Sequence, residues 1–256
     1  MFFVYDRGIV ASIHEELINC IPDRVTMIAK TYLLTLVFFC TGVLNSFSQT
    51  FNLPAIGLKS HQTLEVLRVD ATPDKTVIHL SVENRINDGT FCADKNIFIV
   101  YPDGSEVKLE RASGIPQCPD NHKFKSVGEK LSFTLAFPSL KQGTGWIDLV
   151  EECNENCFSI YGLLLNNELS EKIDEAVNHI EKGQIDSAIG LYEKLIENTE
   201  TSGSGISGSL YSDLISLLVS KGYTASASMW YKKLISSDIP RKQLYIDNLN
   251  FRGIKF

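Results

Sequence analysis

Between Thr63 and Leu165 the chain runs in short stretches whose apolar residues fall on alternate positions. Thr63–Val69 (TLEVLRV), Thr76–Val82 (TVIHLSV) and Leu131–Phe137 (LSFTLAF) show it most clearly. A period of two is that of a strand with one buried face, because successive side chains leave opposite sides of the backbone. Asn96–Tyr101 meets Glu106–Leu109 across Pro102-Asp103-Gly104-Ser105, whose composition predicts a hairpin turn. Trp146–Val150 and Phe158–Leu165 bring the expectation to about seven strands separated by turn residues, the spacing of a two-sheet antiparallel fold.

After Asn166 the period lengthens to that of amphipathic helices. Leu169–Gly183 and Ile185–Glu200 are expected as one helical pair, broken at Lys182-Gly183-Gln184. Leu210–Gly222 and Thr224–Ser237 form a second, broken at Lys221-Gly222-Tyr223. The pairs superpose at an offset of 39, with Gly183 on Gly222, Ala188 on Ala227 and Tyr192 on Tyr231. At each, a glycine ends the first helix, a small alanine admits close packing and an aromatic fills the groove. Thr201–Ser209 is a Gly/Ser connection without the lysine and preceding strand of a phosphate loop, so it reads as a linker. Pro240–Phe256 is expected to add a capping helix, with Leu244, Ile246 and Leu249 packing inward.

The fold class that follows is α+β in two domains: an immunoglobulin-like antiparallel β-sandwich over 49–166, with an open barrel as the alternative, and helical hairpins over 167–256. The succession TVIHLSVENR, NIFIVYPDG, GEKLSFTLAFPSL and WIDLVEECNENCFSIYGLLL resembles the exported β-sandwich module of Gram-negative envelope proteins, which often precedes a thioredoxin-like domain. That resemblance implies a non-catalytic accessory module. The chain departs from the pattern in carrying cysteines in two loops and in having helices where the thioredoxin-like half would stand. The helical pairs resemble tetratricopeptide repeats, whose period is about 34. This second resemblance implies a surface that holds a protein or peptide, with Trp230 and Tyr231 as candidates to line the groove. The alternative is a helical prop for the sheets.

Upstream, Met27–Gln49 is built like a secretory signal: Lys30, an apolar run over Tyr32–Leu44, and Ser46 and Ser48 before a cut ahead of Gln49. The run is shorter than the ~20 residues that span a bilayer, which favours cleavage over insertion of the mature chain. Residues 1–26 read as an upstream extension with the true start at Met27, and 27–48 as the signal. The expected location is the periplasm or the exterior.

An exported chain makes disulfides the default for Cys92, Cys118, Cys153 and Cys157. Three pairings are open; Cys92–Cys118 with Cys153–Cys157 is preferred, since the latter closes a tight polar loop. A zinc site or a redox centre is the competing reading, and neither spacing is the usual one. The net charge of −7, spread along the chain without a basic cluster, argues against nucleic acid. No His pair has metal-ligand spacing, and Glu151-Glu152 and Asp174-Glu175 read as solvated surface. No catalytic set, cofactor site or metal site is predicted. The expected function is a non-enzymatic interaction protein. The alternatives are a thiol-active factor using Cys153 and Cys157, or a glycan-binding sandwich.

Overall fold

The computed structural model describes residues 48–154, 156–198 and 203–256. Cys20, Cys40, Met27 and the signal segment up to Phe47 lie outside the described residues. The described residues from 48 onward belong to one compact unit and form mixed α and antiparallel β structure with five helices among them.

Two five-stranded sheets carry the β part. The first has the order β1-β3-β4-β10-β8, from Gln49–Asn52, Leu64–Ala71, Lys75–Glu83, Lys130–Pro138 and Arg111–Ser113. The second is β2-β12-β11-β6-β7, from Leu58–Lys59, Ser159–Leu164, Trp146–Glu151, Ile97–Val100 and Glu106–Lys108. β5 (Thr90–Phe91) and β9 (His122–Lys123) pair separately. Ile78, Leu80, Phe133, Leu135 and Phe137 of the first sheet share one buried cluster with Ile97, Ile99, Ile147, Leu149 and Ile160 of the second. The expected strands are all present, and β1, β2, β5, β8 and β9 are additional. Their two to four residues are too few to show a period.

Two bulges adjust the alternation. In β3 the register shifts between Val66 and Arg68, so Leu64, Val66 and Val69 all face inward although their spacing changes parity. Between β11 and β12, Tyr161 and Gly162 together oppose the single residue Asp148. Gly162 takes φ +66°, the left-handed region that a bulge reserves for glycine.

The helices are α1 (Asn167–Glu181), α2 (Ile185–Glu197), α3 (Ser207–Ser220), α4 (Thr224–Ser236) and α5 (Lys242–Phe251). The Asn166 side chain caps α1 by accepting the Leu169 N–H at 3.0 Å. Gly183 and Gly222, at φ +72° and +77°, end α1 and α3. In both, the next residue's N–H returns to the carbonyl five positions back: Gln184 to His179 and Tyr223 to Leu218, each at 2.8 Å. This is the glycine-terminated cap that satisfies the last carbonyls of a helix.

α3 begins at Ser207, inside the stretch expected as a linker. Ser204, Gly205 and Ile206 are buried there rather than looping through solvent. In α5, Leu249 packs as expected and Ile246 partly so, but Leu244 is exposed and Tyr245 takes the inward place. One residue, about 100° of helical phase, separates the two assignments.

Candidate functional site: the sheet–helix joint and the outer face of α4

Asp148 stands in the middle of an apolar strand, and its side chain is only 1% exposed. Its Oδ1 accepts the Gly162 N–H at 2.7 Å, the donor that the bulge frees from the ladder. Its Oδ2 accepts Nη2 of Arg241, which precedes α5. Burial pushes the Asp148 carboxyl upward, and the Gly162 N–H and Arg241 oppose it. The Arg241 guanidinium also lies 4.5 Å from the centre of the Tyr161 ring.

Glycines bring the two parts into backbone contact around this pair. A Cβ on Gly162 would sit 2.2 Å from the Gly205 carbonyl oxygen, and one on Gly205 would sit 2.5 Å from the Trp146 ring. Gly208 in α3 lies equally tight against Tyr245, whose hydroxyl donates to the Gly205 carbonyl at 3.2 Å. On the other flank, the Ala55 N–H donates to Ser170 Oγ at 3.1 Å, and Asn167 Nδ2 to the Thr50 carbonyl at 2.8 Å. Sheet and helices are therefore held by directional polar contacts as well as by apolar burial. Reasoning from the sequence missed Asp148 and Arg241. The available signal was a carboxylate inside the apolar strand Trp146–Val150.

Glu151, expected as solvated, is likewise 6% exposed. It accepts the Asp94 N–H at 2.7 Å and the Phe158 N–H at 3.0 Å, and burial pushes its pKa upward. Glu152, Asp174 and Glu175 are exposed. His79 bonds Asp70 at 2.8 Å on the outside of the first sheet. The cysteines pair as Cys92–Cys118 and Cys153–Cys157. No group of three potential metal ligands exists among the described residues, and no helix there is long and apolar enough to cross a membrane.

Among the repeat positions, Ala188 and Ala227 are fully buried, and Tyr192 and Tyr231 pack into the helical core beside them. Trp230 and Tyr231, the candidates for a partner groove, are 3% and 5% exposed. The Trp230 Nε1–H donates to Glu193 at 3.2 Å, its ring meets Tyr211 edge-on, and Tyr231 packs on Phe256. These rings hold α4 to its neighbours and present almost nothing to solvent. That follows from helical phase: residues that face α2 and α3 cannot also face outward.

The outward side of α4 is formed by Ala225, Ser228, Met229, Lys232, Lys233 and Ser236, around an open depression of about 530 Å³. Met229 is 46% exposed at its centre, and Lys233 Nζ lies 3.7 Å from the Trp230 ring centre. Small residues, one adaptable apolar side chain and two ammonium groups suit a chain segment that brings apolar and acidic groups. A second cleft of about 310 Å³ lies between Ile196, Ser207, Tyr211 and the Ser237–Ile239 connection. Compared with protein-family models, with curated proteins and with solved structures, the chain finds no match.

Proposed function

We propose that this is an exported, non-enzymatic interaction protein whose helical half holds an acidic, partly apolar protein or peptide segment. The observation that carries the reading is the outer face of α4. There Met229, Ala225 and Ser236 lie open beside Lys232 and Lys233, in a chain whose overall charge is negative. Local positive charge on an acidic protein selects by repelling most of its own kind of surface while attracting a complementary one.

The finer fold reading is part of the same proposal. The order β3-β4-β10-β8 against β6-β11-β12 matches the A-B-E-D and C-F-G arrangement of immunoglobulin-like sandwiches, which supports that assignment. The two hairpins, with matching glycine ends and Ala/Tyr contacts, support a tetratricopeptide-like reading, with α5 packed on them as the capping helix. Export rests on the segment 27–48 and on the two disulfides.

The test places a photo-crosslinking amino acid at position 229 in the full chain made in its own compartment. An exposed sheet position, Glu106, serves as control. A discrete adduct at 229, absent at 106 and lost in the Lys232→Glu/Lys233→Glu double variant, is expected. Equal adducts at both positions, or an adduct indifferent to the charge reversal, would overturn the reading.

A further inference from the structure

Two helices of this chain carry opposite charge on their outer faces. α1 holds five carboxylates against one lysine, whereas α4 holds two lysines and no acid. On α1, Glu171, Asp174, Asn178 and Glu181 recur every three or four positions and are all exposed, so they line one side of the helix. Val177, 41% exposed, stands at the edge of that stripe. Among the described residues no cation lies within ion-pair distance of Glu171, Asp174 or Glu181, although Glu168 holds Lys172 at 2.7 Å and Glu175 faces His179 at 3.9 Å. Partial burial, and then the charge of Glu171, push the Asp174 carboxyl upward.

Exposed apolar side chains elsewhere keep other company: Ile86 follows Arg85, and Leu244 and Phe251 stand near Lys242 and Arg252 in the sequence. Val177 instead has Asp174 and Glu181 three and four positions away on its own helix. The outer side of α1 is thus an acidic, partly apolar segment that is already helical. On α4, Ala225, Ser228, Met229, Lys232 and Ser236 recur at the same spacing, and the small residues among them let a second helix lie close. Met229 is three and four residues from Lys232 and Lys233, ~4.5–6 Å along the axis, and Val177 stands equally far from Asp174 and Glu181. Val177 set on Met229 therefore brings a carboxylate to an ammonium in either polarity: Glu181 to Lys233 if the helices run parallel, Asp174 to Lys232 if antiparallel.

Within one chain the two faces do not meet, because α1 packs on α2, α2 on α3 and α3 on α4. We propose that the acidic outer face of α1 docks into the basic depression on α4 of a second copy of this chain. Such docking rests on the reading that the α4 face takes an acidic, partly apolar segment, and it names that segment. The contact joins two different faces, so each copy keeps one of each for the next, and association runs head to tail until a ring closes. A single pair of helix faces is a small interface, and its charges lie at the surface. Association is accordingly weak and sensitive to salt.

The test follows the mass of the purified full chain by sedimentation over a graded concentration series. Wild type should associate as concentration rises, about tenfold more weakly at ~500 mM than at ~50 mM sodium chloride. Asp174→Lys/Glu181→Lys and Lys232→Glu/Lys233→Glu should each self-associate at least about tenfold more weakly, since like-charged faces then meet. An equimolar mixture of the two variants should recover association, because the acidic α1 of one meets the basic α4 of the other. A wild type that stays monomeric, variants that associate as it does, or folded variants whose mixture fails to recover would overturn the self-docking. With the photo-crosslinker at 229 in the wild-type background, an adduct between copies should map to the α1 peptide; one mapping to another peptide of the chain would overturn it even if a variant folds poorly. A monomeric chain that crosslinks a different protein at 229 would remove the self-docking and leave the reading of the α4 face standing, whereas no adduct at 229 would remove both.

Discussion

Replacing Arg241 by Met removes the charge that faces Asp148 while leaving most of the side chain's packing volume. Asp148 would then keep one hydrogen bond, from Gly162, in a site where its side chain is 1% exposed. Stranding one member of a buried pair costs about 3–5 kcal/mol. Losing the contact over Tyr161 adds roughly 0.5–1 kcal/mol. A total of about 3.5–6 kcal/mol is a large share of the ~5–15 kcal/mol that keeps a domain folded. Asp148→Asn should cost less, about 2 kcal/mol, because the amide oxygen still accepts from Gly162 and the partly exposed Arg241 can turn to water. The double variant should be more stable than the sum of the singles implies, by about 2 kcal/mol.

The sign with pH follows from the same geometry. In Arg241→Met the Asp148 carboxyl rises further, since only burial and one N–H remain to act on it. A group whose folded pKa is raised contributes stability below its unfolded pKa and loses it as pH climbs through the folded one. The deficit of this variant should therefore shrink as pH falls from 7 towards 4. Urea unfolding followed by circular dichroism and by tryptophan emission reads both effects, with Trp146 at the joint and Trp230 among the helices. Additivity of the two substitutions within about 0.5 kcal/mol, or a deficit that ignores pH, would refute the coupling.

Two further outcomes follow from the same physics. Loop lengths of 26 and 4 residues predict that Cys92→Ser/Cys118→Ser costs about 3.5 kcal/mol and Cys153→Ser/Cys157→Ser about 2 kcal/mol, measured by urea titration of each double variant. Equal losses would count against the chain-entropy account. Asp213 in α3 is pushed up to about 6 by burial, with Arg252 pulling the other way. Its contribution is present below the ordinary value of 3.8 and is lost as pH rises through about 6. Asp213→Asn should therefore stabilise the fold at pH 8 by about 3 kcal/mol, read as a higher urea midpoint, and change little at pH 4; a less stable variant at pH 8 would contradict it.

The strands that alternate over seven or more residues were legible because their inward residues form a continuous apolar file, as Ile78, Leu80 and Val82 do in β4. The helix ends at Gly183 and Gly222 were legible because only glycine occupies those φ values without strain. The joint was not. Asp148 and Arg241 are 93 residues apart, and a buried ion pair leaves no period in the chain. The linker reading of 201–209 failed for a related reason: Gly205 and Gly208 are small because Trp146 and Tyr245 pack against them, not because the segment is loose. Composition alone cannot separate a glycine chosen for freedom from one chosen for contact. The groove assignment to Trp230 and Tyr231 gave weight to residue type where helical phase decides.

The β11–β12 hairpin carries both features that this fold adds to its core. Asp148 and the Gly162 bulge lie in its body and bind the helices, and the Cys153–Cys157 ring closes its tip. Between them sits Glu151, whose backbone and carboxyl pair with Phe158 and whose other oxygen reaches Asp94. That clamp separates the two in energy as well as in space. The Glu151 bonds do not run through the sulfur–sulfur bond, and they stand between the ring and the bulge opposite Asp148, three positions away. A joint made only of apolar surface could slide when its neighbour loosened, because dispersion contacts have no preferred direction. The carboxylate, the guanidinium and two glycine backbones in contact admit one arrangement. The helices therefore keep their pose on the sheet, and the outer face of α4 its shape.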